Sequence, residues 1–322
     1  MRCVVTGAAG FVGSHLCDHL LSQGDVVVGV DSLTDYYDVT RKKSNIERLQ
    51  GMSDFRFHFH PADVARDPLD GILAGADVVY HVAGQPGVRP SWGKEFETYV
   101  ERNIMATQTL LEQCRGRQLA KFVYASSSSI YGDAEACPTA ETVCPRPVSP
   151  YGVTKLAAEH LCELYRSAFG VPTASLRLFT VYGPRQRPDM AFSRLVAAAL
   201  TGGPFQLYGD GRQTRDFSYV GDVVRAMRDA AVSPWTGVAN VGGGARTSMK
   251  EVLDIVSELA GDINVVQLPM TPGDVRHTGA DTTVARNAFG YQPTVDLRSG
   301  LCRMVEAADQ GSVSRAISPM PR

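Results

Sequence analysis

Tyr151-Gly-Val-Thr-Lys155 sets a phenol and an ammonium four residues apart. On a helix that spacing brings both to one face, about a turn apart. A neighbouring positive charge favours the phenolate and pulls a tyrosine down from its usual pKa of about 10. The pair therefore predicts Tyr151 as a general base near neutral pH. The same spacing arises on many solvated helices. It becomes chemistry only if the chain also supplies a cofactor, a partner hydroxyl and a substrate pocket.

The elements that would position the pair are legible in order. Residues 2–6 read as a short apolar strand, followed by Gly7-Ala-Ala-Gly10-Phe-Val-Gly13 and a helix stopped by Gly24. Val26 to Val30 reads as a buried parallel strand ending at Asp31. Glycines between a strand and a helix permit a tight turn and close approach of a pyrophosphate. The helix N-terminus adds N–H donors and a favourable dipole. Asp31 stands where a carboxylate accepts from a ribose 2′-hydroxyl and repels a 2′-phosphate, which favours NAD over NADP.

The alternation continues. Phe55–His60 reads as a strand with Phe55, Phe57 and Phe59 on a buried face. Asp63 and Val64 follow it, where Asp63 caps a turn or meets an adenine. Ala76–Val82 is a strand running into Ala83-Gly84-Gln85. Residues 95–114 form a helix with Asn103 on it. Lys121–Ala125 is a strand followed by Ser126, Ser127, Ser128 and Ser129. Residues 150–169 form the helix of Tyr151 and Lys155, and Ala174–Phe179 is a further strand. Strands alternating with helices predict an α/β fold: a Rossmann-type, doubly wound parallel sheet with its ligand at the carboxyl ends of the strands.

After Thr180 the texture changes. Arginines stand at Arg185, Arg187, Arg194, Arg215 and Arg276, and Gln206 and Tyr208 lie in the run 205–208. Ser248-Met-Lys-Glu251 is a capping box opening a helix that Gly261 closes. This half reads as a smaller C-terminal substrate domain interleaved with the sheet. Residues 1–179 form the cofactor domain, with 214–242 returning to it. Residues 180–213 and 243–310 form the substrate domain, and 311–322 a disordered tail. Several arginines facing a dinucleotide-binding edge predict a clamp on an anionic substrate.

Composition sets bounds. A chain of 322 residues, 44% hydrophobic and 20% charged with a formal charge of −2, is ordinary for a globular enzyme, and no basic field points to nucleic acid. No apolar run reaches spanning length, and the start shows no signal-peptide pattern, so a cytoplasmic protein without membrane attachment is expected. The seven cysteines form no Cys-x-x-Cys and read as reduced thiols. His58 and His60 have no third ligand in view, so no metal is expected.

Thr6-Gly7-x-x-Gly10-x-x-Gly13, Asp31, the serine run before Tyr131-Gly132 and Tyr151-x-x-x-Lys155 together resemble the extended short-chain dehydrogenase/reductase family. The resemblance is to its NAD-dependent sugar-nucleotide epimerases and dehydratases and covers roughly residues 1–310. It implies Tyr151 as the acid/base, and Lys155 as the residue that lowers its pKa and holds the nicotinamide ribose. It implies Ser127 on the sugar O4, with Ser128 the neighbouring candidate. It implies an NAD site built from Gly7, Gly10, Phe11, Val12, Gly13, Asp31, Ser32, Asp63, Val64, Val82, Ala83, Gly84, Gln85, Asn103, Ser126, Tyr151 and Lys155. A UDP-sugar site would comprise Arg89, Ser127, Ser128, Ser129, Thr180, Arg185, Arg187, Arg194, Gln206, Tyr208, Arg215 and Arg276. The implied assembly is a homodimer through a helix bundle.

Subfamily is argued from what is missing. The family's 4,6-dehydratases resemble one another in Thr-Asp-Glu before Val-Tyr-Gly, and its decarboxylases in a Glu where Ser129 stands. This chain has Ser127, Ser128 and Ser129 there. Asp35-Tyr36-Tyr37-Asp38, Gly87-Val88-Arg89 and Phe179-Thr180-Val181-Tyr182-Gly183-Pro184 are similar to UDP-glucuronate 4-epimerases, although Pro86 and Pro90 depart from that group's commoner pattern. The expected activity is C4 epimerisation of UDP-glucuronate through a 4-keto intermediate that turns in the pocket. A UDP-glucose 4-epimerase, a dehydrogenase releasing its oxidised product and a catalytically silent nucleotide-binding scaffold are the alternatives.

Overall fold

The computed structural model describes residues 1–52, 55–133, 137–269 and 275–317, with side chains as far as residue 310. Near-continuous Val-rich runs become strands buried on both faces, as a parallel sheet covered by helices requires. In chain order the first half runs β1 (Arg2–Thr6), α1 (Phe11–Ser22), β2 (Val26–Asp31), α2 (Val39–Met52), β3 (Phe57–Pro61), α3 (Asp70–Leu73) and β4 (Val78–His81). It continues through α4 (Phe96–Tyr99), a π-helical turn (Val100–Met105), α5 (Ala106–Cys114), β5 (Lys121–Ser127), α6 (Pro150–Phe169) and β6 (Thr173–Leu178). The second half comprises β7 (Val181–Tyr182), α7 (Ala191–Thr201), β8 (Pro204–Tyr208), β9 (Thr214–Asp216), β10 (Ser218–Tyr219) and α8 (Val220–Val232). It ends with β11 (Gly237–Val241), β12 (Arg246–Ser248), α9 (Met249–Ala260), β13 (Asn264–Leu268), α10 (Thr283–Phe289) and α11 (Leu297–Ile317).

Seven strands form one sheet in the order β11-β6-β5-β4-β1-β2-β3, every neighbour parallel. The order reverses between β1 and β4. In an open parallel sheet a ligand sits in the crevice at that reversal, outside the carboxyl ends of the strands. On one face α1 and α8 bury Leu16, Leu20, Val223 and Met227 against the sheet; on the other α3, α5 and α6 bury Leu73, Leu110 and Cys162. A separate core joins α7, α9, α11 and β8 through Phe192, Leu195, Val252, Val256, Leu301 and Phe205. Three two-stranded ribbons pair β7 with β10, β9 with β12 and β8 with β13. β11 returns to the seven-stranded sheet beside β6.

Three expectations change. The helix over 95–114 is interrupted: α4 and α5 are joined through the π-helical turn, which contains Asn103. The strand of phenylalanines starts at Phe57, and Phe55 is 94% exposed with a left-handed φ of 70°. The tail is not irregular from 311 onward, because α11 runs to Ile317; residues 318–322 lie outside the described ones.

Candidate active site

Gly7 leaves β1 with φ of 73°, and a Cβ on it would stand 2.8 Å from the Ala83 nitrogen. Gly13 in the first turn of α1 is tighter: a Cβ would fall 2.0 Å from the Gly7 carbonyl oxygen. Only glycine permits this turn, and the turn leaves a cavity above β1, β2 and β4. Gly7, Gly10, Phe11, Val12, Gly13, Asp31, Ser32, Asp63, Val64, Val82, Ala83, Gly84 and Gln85 all line it. Asp31 is held at its rim. Its carboxylate accepts from the Ala9 and Leu33 amides at 3.2 and 2.8 Å and faces the Lys42 ammonium at 3.9 Å. Asp63 both lines the cavity and caps the next turn, accepting from the Ala65 amide at 2.9 Å. A backbone-lined turn at a helix N-terminus with a carboxylate at the end of the neighbouring strand fits a dinucleotide.

A second cavity opens against the first. Arg89, Thr180, Arg194, Gln206, Tyr208 and Arg215 line it, with Phe205, Leu207, Phe217 and Met249 as its apolar wall. The Arg89 guanidinium lies 3.9 Å from the centre of the Tyr208 ring, and Arg194 donates to the Gln206 side chain at 2.9 Å. Arg215 donates to the carbonyls of Thr214, Val275 and Arg276. Tyr36 lines both cavities.

Ser127 ends β5 and Tyr151 sits in the first turn of α6. Ser149 caps that turn, accepting from the Gly152 amide at 3.1 Å, and Pro150 occupies its first position. Ser127 is the first influence opposing the rise in the Tyr151 pKa, and its hydroxyl accepts from the Ser129 amide at 3.1 Å. Lys155 is buried one turn on, with its ammonium 4.5 Å from the Tyr124 ring centre. Burial lowers the Lys155 pKa to about 8, against the opposing pull of Cys162 and Glu159.

The expected depression of the Tyr151 pKa is not found. Burial raises it, and the forces opposing that rise come from the Ser127 hydrogen bond and the Arg187 charge rather than from Lys155. The four-residue spacing puts both groups on one face. The Lys155 charge, itself desolvated, is directed at the Tyr124 ring.

Other expected residues are placed differently. Asn103 is buried off the cofactor cavity; it accepts from the Gln85 amide at 2.7 Å and donates to the Gln85 carbonyl and the Thr154 hydroxyl. The Ser126 hydroxyl is turned to Glu159, 2.6 Å away, in a buried pair that Arg177 completes. Arg185 points to α1, where it pairs with Asp18 at 2.7 Å. Arg187 lines the cofactor cavity and pairs with Asp189. Ser128 and Ser129 form a 3₁₀ turn next to Ser127. Arg276 is exposed and offers its carbonyl to Arg215, while Pro272 to Asp274 lie outside the described residues.

Sequence reasoning missed Thr34, Lys42 and Arg102 at the cofactor cavity. Lys42 reaches Asp31 from α2, a polar helix with no periodicity strong enough to announce it. Among the described residues no group of three His, Cys, Asp or Glu could hold a metal ion. No described helix is long and apolar enough to cross a membrane.

A glycine turn at the sheet's switch point, next to a serine–tyrosine pair and an arginine-lined cavity, defines an NAD-dependent enzyme of activated sugars. The chain belongs to the NAD dependent epimerase/dehydratase family, whose model matches residues 3–242. It is 40% identical over 305 residues to an uncharacterized UDP-glucose epimerase, YtcB, of Bacillus subtilis (strain 168), spanning 94% of this chain and 96% of the relative. It is 35% identical over 334 residues to a probable UDP-glucuronate 4-epimerase of Rhizobium meliloti (strain 1021), spanning 96% and 97%. Its fold is similar to a UDP-glucuronic acid 4-epimerase from Bacillus cereus solved with UDP-glucuronic acid and NAD. There the TM-score is 0.92 at 43% identity, covering 96% of this chain and 99% of that one.

Proposed function

We propose that the protein is an NAD-dependent isomerase that interconverts UDP-glucuronate and UDP-galacturonate at C4. The observation carrying this reading is the coupling of Ser127 to Tyr151, beside a serine turn that contains no carboxylate. It has the proton-transfer parts of a C4 oxidation without the acid and base of an elimination.

Bound NAD supplies reversible hydride acceptance at C4, so the sugar passes through a 4-keto form and the net reaction is redox-neutral. Tyr151 takes the 4-hydroxyl proton and returns it after the sugar has turned. Ser127 orients O4 and holds the phenolate once it forms. Lys155 sits beneath the cofactor loop, with its ammonium beside Gly84, where it is placed to hold the nicotinamide ribose. Arg194, Arg215 and Arg89 hold the diphosphate end while the hexose turns, which separates nucleotide affinity from sugar mobility. A 4-keto uronate is a β-keto acid and loses carbon dioxide when its carboxylate bond aligns with the carbonyl. Thr180, Ser128, Ser129 and Arg187 are the groups available to hold the carboxylate out of that alignment.

The relative from Bacillus subtilis favours one further reading, a glucose-series epimerase. Incubating the purified protein with UDP-glucuronate and with UDP-glucose, and following both by NMR, tests the assignment. UDP-galacturonate is the expected product. UDP-galactose formed in preference would move the assignment to the neutral sugar, a pentose would indicate decarboxylation, and no turnover of either would sink the epimerase reading. The exposed Phe96, Met105, Val153 and Leu164 on α4, the π-helical turn and α6 support a homodimer built as a helix bundle. Seven unpaired thiols support a cytoplasmic site of action.

A further inference from the structure

One buried titratable side chain has no part in the steps above. His81 closes β4 opposite Thr6, its register partner at the end of β1, and is 1% exposed. The Thr6 hydroxyl lies 2.8 Å from His81 Nδ1, and the Thr107 hydroxyl 3.0 Å from Nε2. Which nitrogen carries the proton follows from the neighbours. Thr107 Oγ1 is 2.6 Å from the Asn103 carbonyl oxygen, which only accepts, so the single Thr107 proton is spent there. Thr107 must then accept from His81, and Nε2 carries the hydrogen. Nδ1 is left as an acceptor, so Thr6 donates to it. The Thr6 oxygen in turn accepts from the Ala83 amide at 3.2 Å, beside the glycine turn.

Every donor in this chain has one acceptor, and it continues past Asn103. That side chain grips both backbone groups of Gln85, in the cofactor cavity wall, and donates to Thr154 at 2.9 Å. Thr154 donates to the Tyr151 carbonyl at 2.9 Å. Thr6, Asn103, Thr107 and Thr154 are all at most 2% exposed, so no water competes. Buried networks with every member satisfied are rigid and hold one geometry. Burial, aided by the Lys155 charge, lowers the His81 pKa to about 3, so the imidazole stays neutral at working pH.

We propose that His81 is a positioning residue: as the neutral Nε2–H tautomer it ties the glycine-turn threonine to the π-helical turn of Asn103, and so sets both the cofactor loop and the Tyr151 backbone. The assignment of a positioning effect on Tyr151 rests on the reading of Tyr151 as the proton-transfer group. The two arms are separable. An asparagine places an acceptor near Nδ1 and restores the Thr6 arm. A glutamine reaches Nε2 and restores the Thr107 arm.

The test begins with the wild-type holoenzyme carrying ¹⁵N-labelled histidine. NMR is expected to show His81 protonated at Nε2 and bare at Nδ1; a proton on Nδ1 would overturn the proposal. His81→Phe keeps a ring and loses both arms, with at least 10-fold falls expected in kcat and in affinity for NADH. His81→Asn is expected to recover NADH affinity but not kcat, and His81→Gln kcat but not affinity. If all three variants bind NADH and turn over like wild type, differing only in melting temperature, His81 is merely structural. The tautomer and NADH affinity stand apart from turnover, so an enzyme inactive on both UDP-sugars would defeat the proposed reaction and leave these readouts to decide on His81.

Discussion

At the residue scale, Tyr151 and Lys155 show the limit of reading charge from spacing. Their four-residue separation correctly places both on the inner face of α6, but burial decides their pKa values. The Tyr151 pKa is raised, and the Ser127 hydrogen bond is the first of the forces opposing that rise. Ser127→Ala therefore raises it further. Activity grows as Tyr151 loses its proton, so the alkaline-rising limb of the kcat/KM profile is expected to move to higher pH, with kcat down about 10²–10⁴-fold for Tyr151→Phe. A limb unmoved by Ser127→Ala would refute this coupling. Lys155 carries the opposite cost. Its folded pKa of about 8 lies below the unfolded value of 10.5. Between the two the unfolded chain holds a proton the folded chain lacks, so this group's contribution to stability rises with pH across that window. Below about pH 8 the full cost applies, roughly 3 kcal/mol from the size of the shift. Lys155→Met should abolish turnover yet raise the unfolding free energy at pH 7 by about 1–3 kcal/mol, the lost contact with Tyr124 offsetting part of the gain. Urea unfolding at pH 7 and pH 10 checks both sign and window, and a variant less stable than wild type at pH 7 would contradict it.

At the element scale, what was legible was whatever carries its own signal. The glycine turn, the capping box at Ser248 and the close at Gly261 are local chemistry, and the structure has each. The π-helical turn has no such signature, because one extra residue in a helical turn leaves the apolar pattern of 95–114 intact. Its consequence is large: it carries Asn103, which the sequence suggests for the cofactor and the structure joins to Gln85 and Thr154. β9, β12 and β13 were equally unreadable, since ribbons this short are defined by their partners rather than by propensity. The two ends of α6 offer a test of what its cap does. Ser149→Ala removes the acceptor for the Gly152 amide and should cost about 1 kcal/mol. Gly170, with φ of 70°, ends the same helix, and Gly170→Ala should cost a similar amount. Both should lower the melting temperature alike, but only Ser149→Ala loosens the turn holding Tyr151, so only its kcat should fall. Equal kcat values for the two would show that the first turn is held by the Asn103 arm through Thr154 instead.

At the scale of the whole molecule, the alternating pattern carried the parallel sheet, and the switch point between β1 and β4 then located the cofactor cavity. The outer surface is harder to read from sequence, because an apolar residue that faces water and one that faces the core look the same in a helical pattern. The structure separates them. Cys162 and Tyr165 on α6 pack inward, whereas Val153 and Leu164, eleven residues apart and so on one helix face, are 46% and 55% exposed. Phe96 and Met105 are exposed on the neighbouring α4 and π-helical turn, at 38% and 51%. Two adjacent helices with an apolar outer face match the half-interface of a symmetric dimer, in which the same patch serves both copies. Such an interface must remove roughly 1,200–2,000 Å² from water to be stable. Charge placed at its centre should prevent that, so Met105→Glu with Leu164→Glu is expected to yield a monomer. Sedimentation should show the wild type at twice the chain mass and the double variant at once. The wild-type melting temperature should rise with protein concentration and the variant's should not, because only a dimer gains stability by mass action. A wild type that sediments as a monomer at micromolar concentration would mean these four side chains face solvent for another reason.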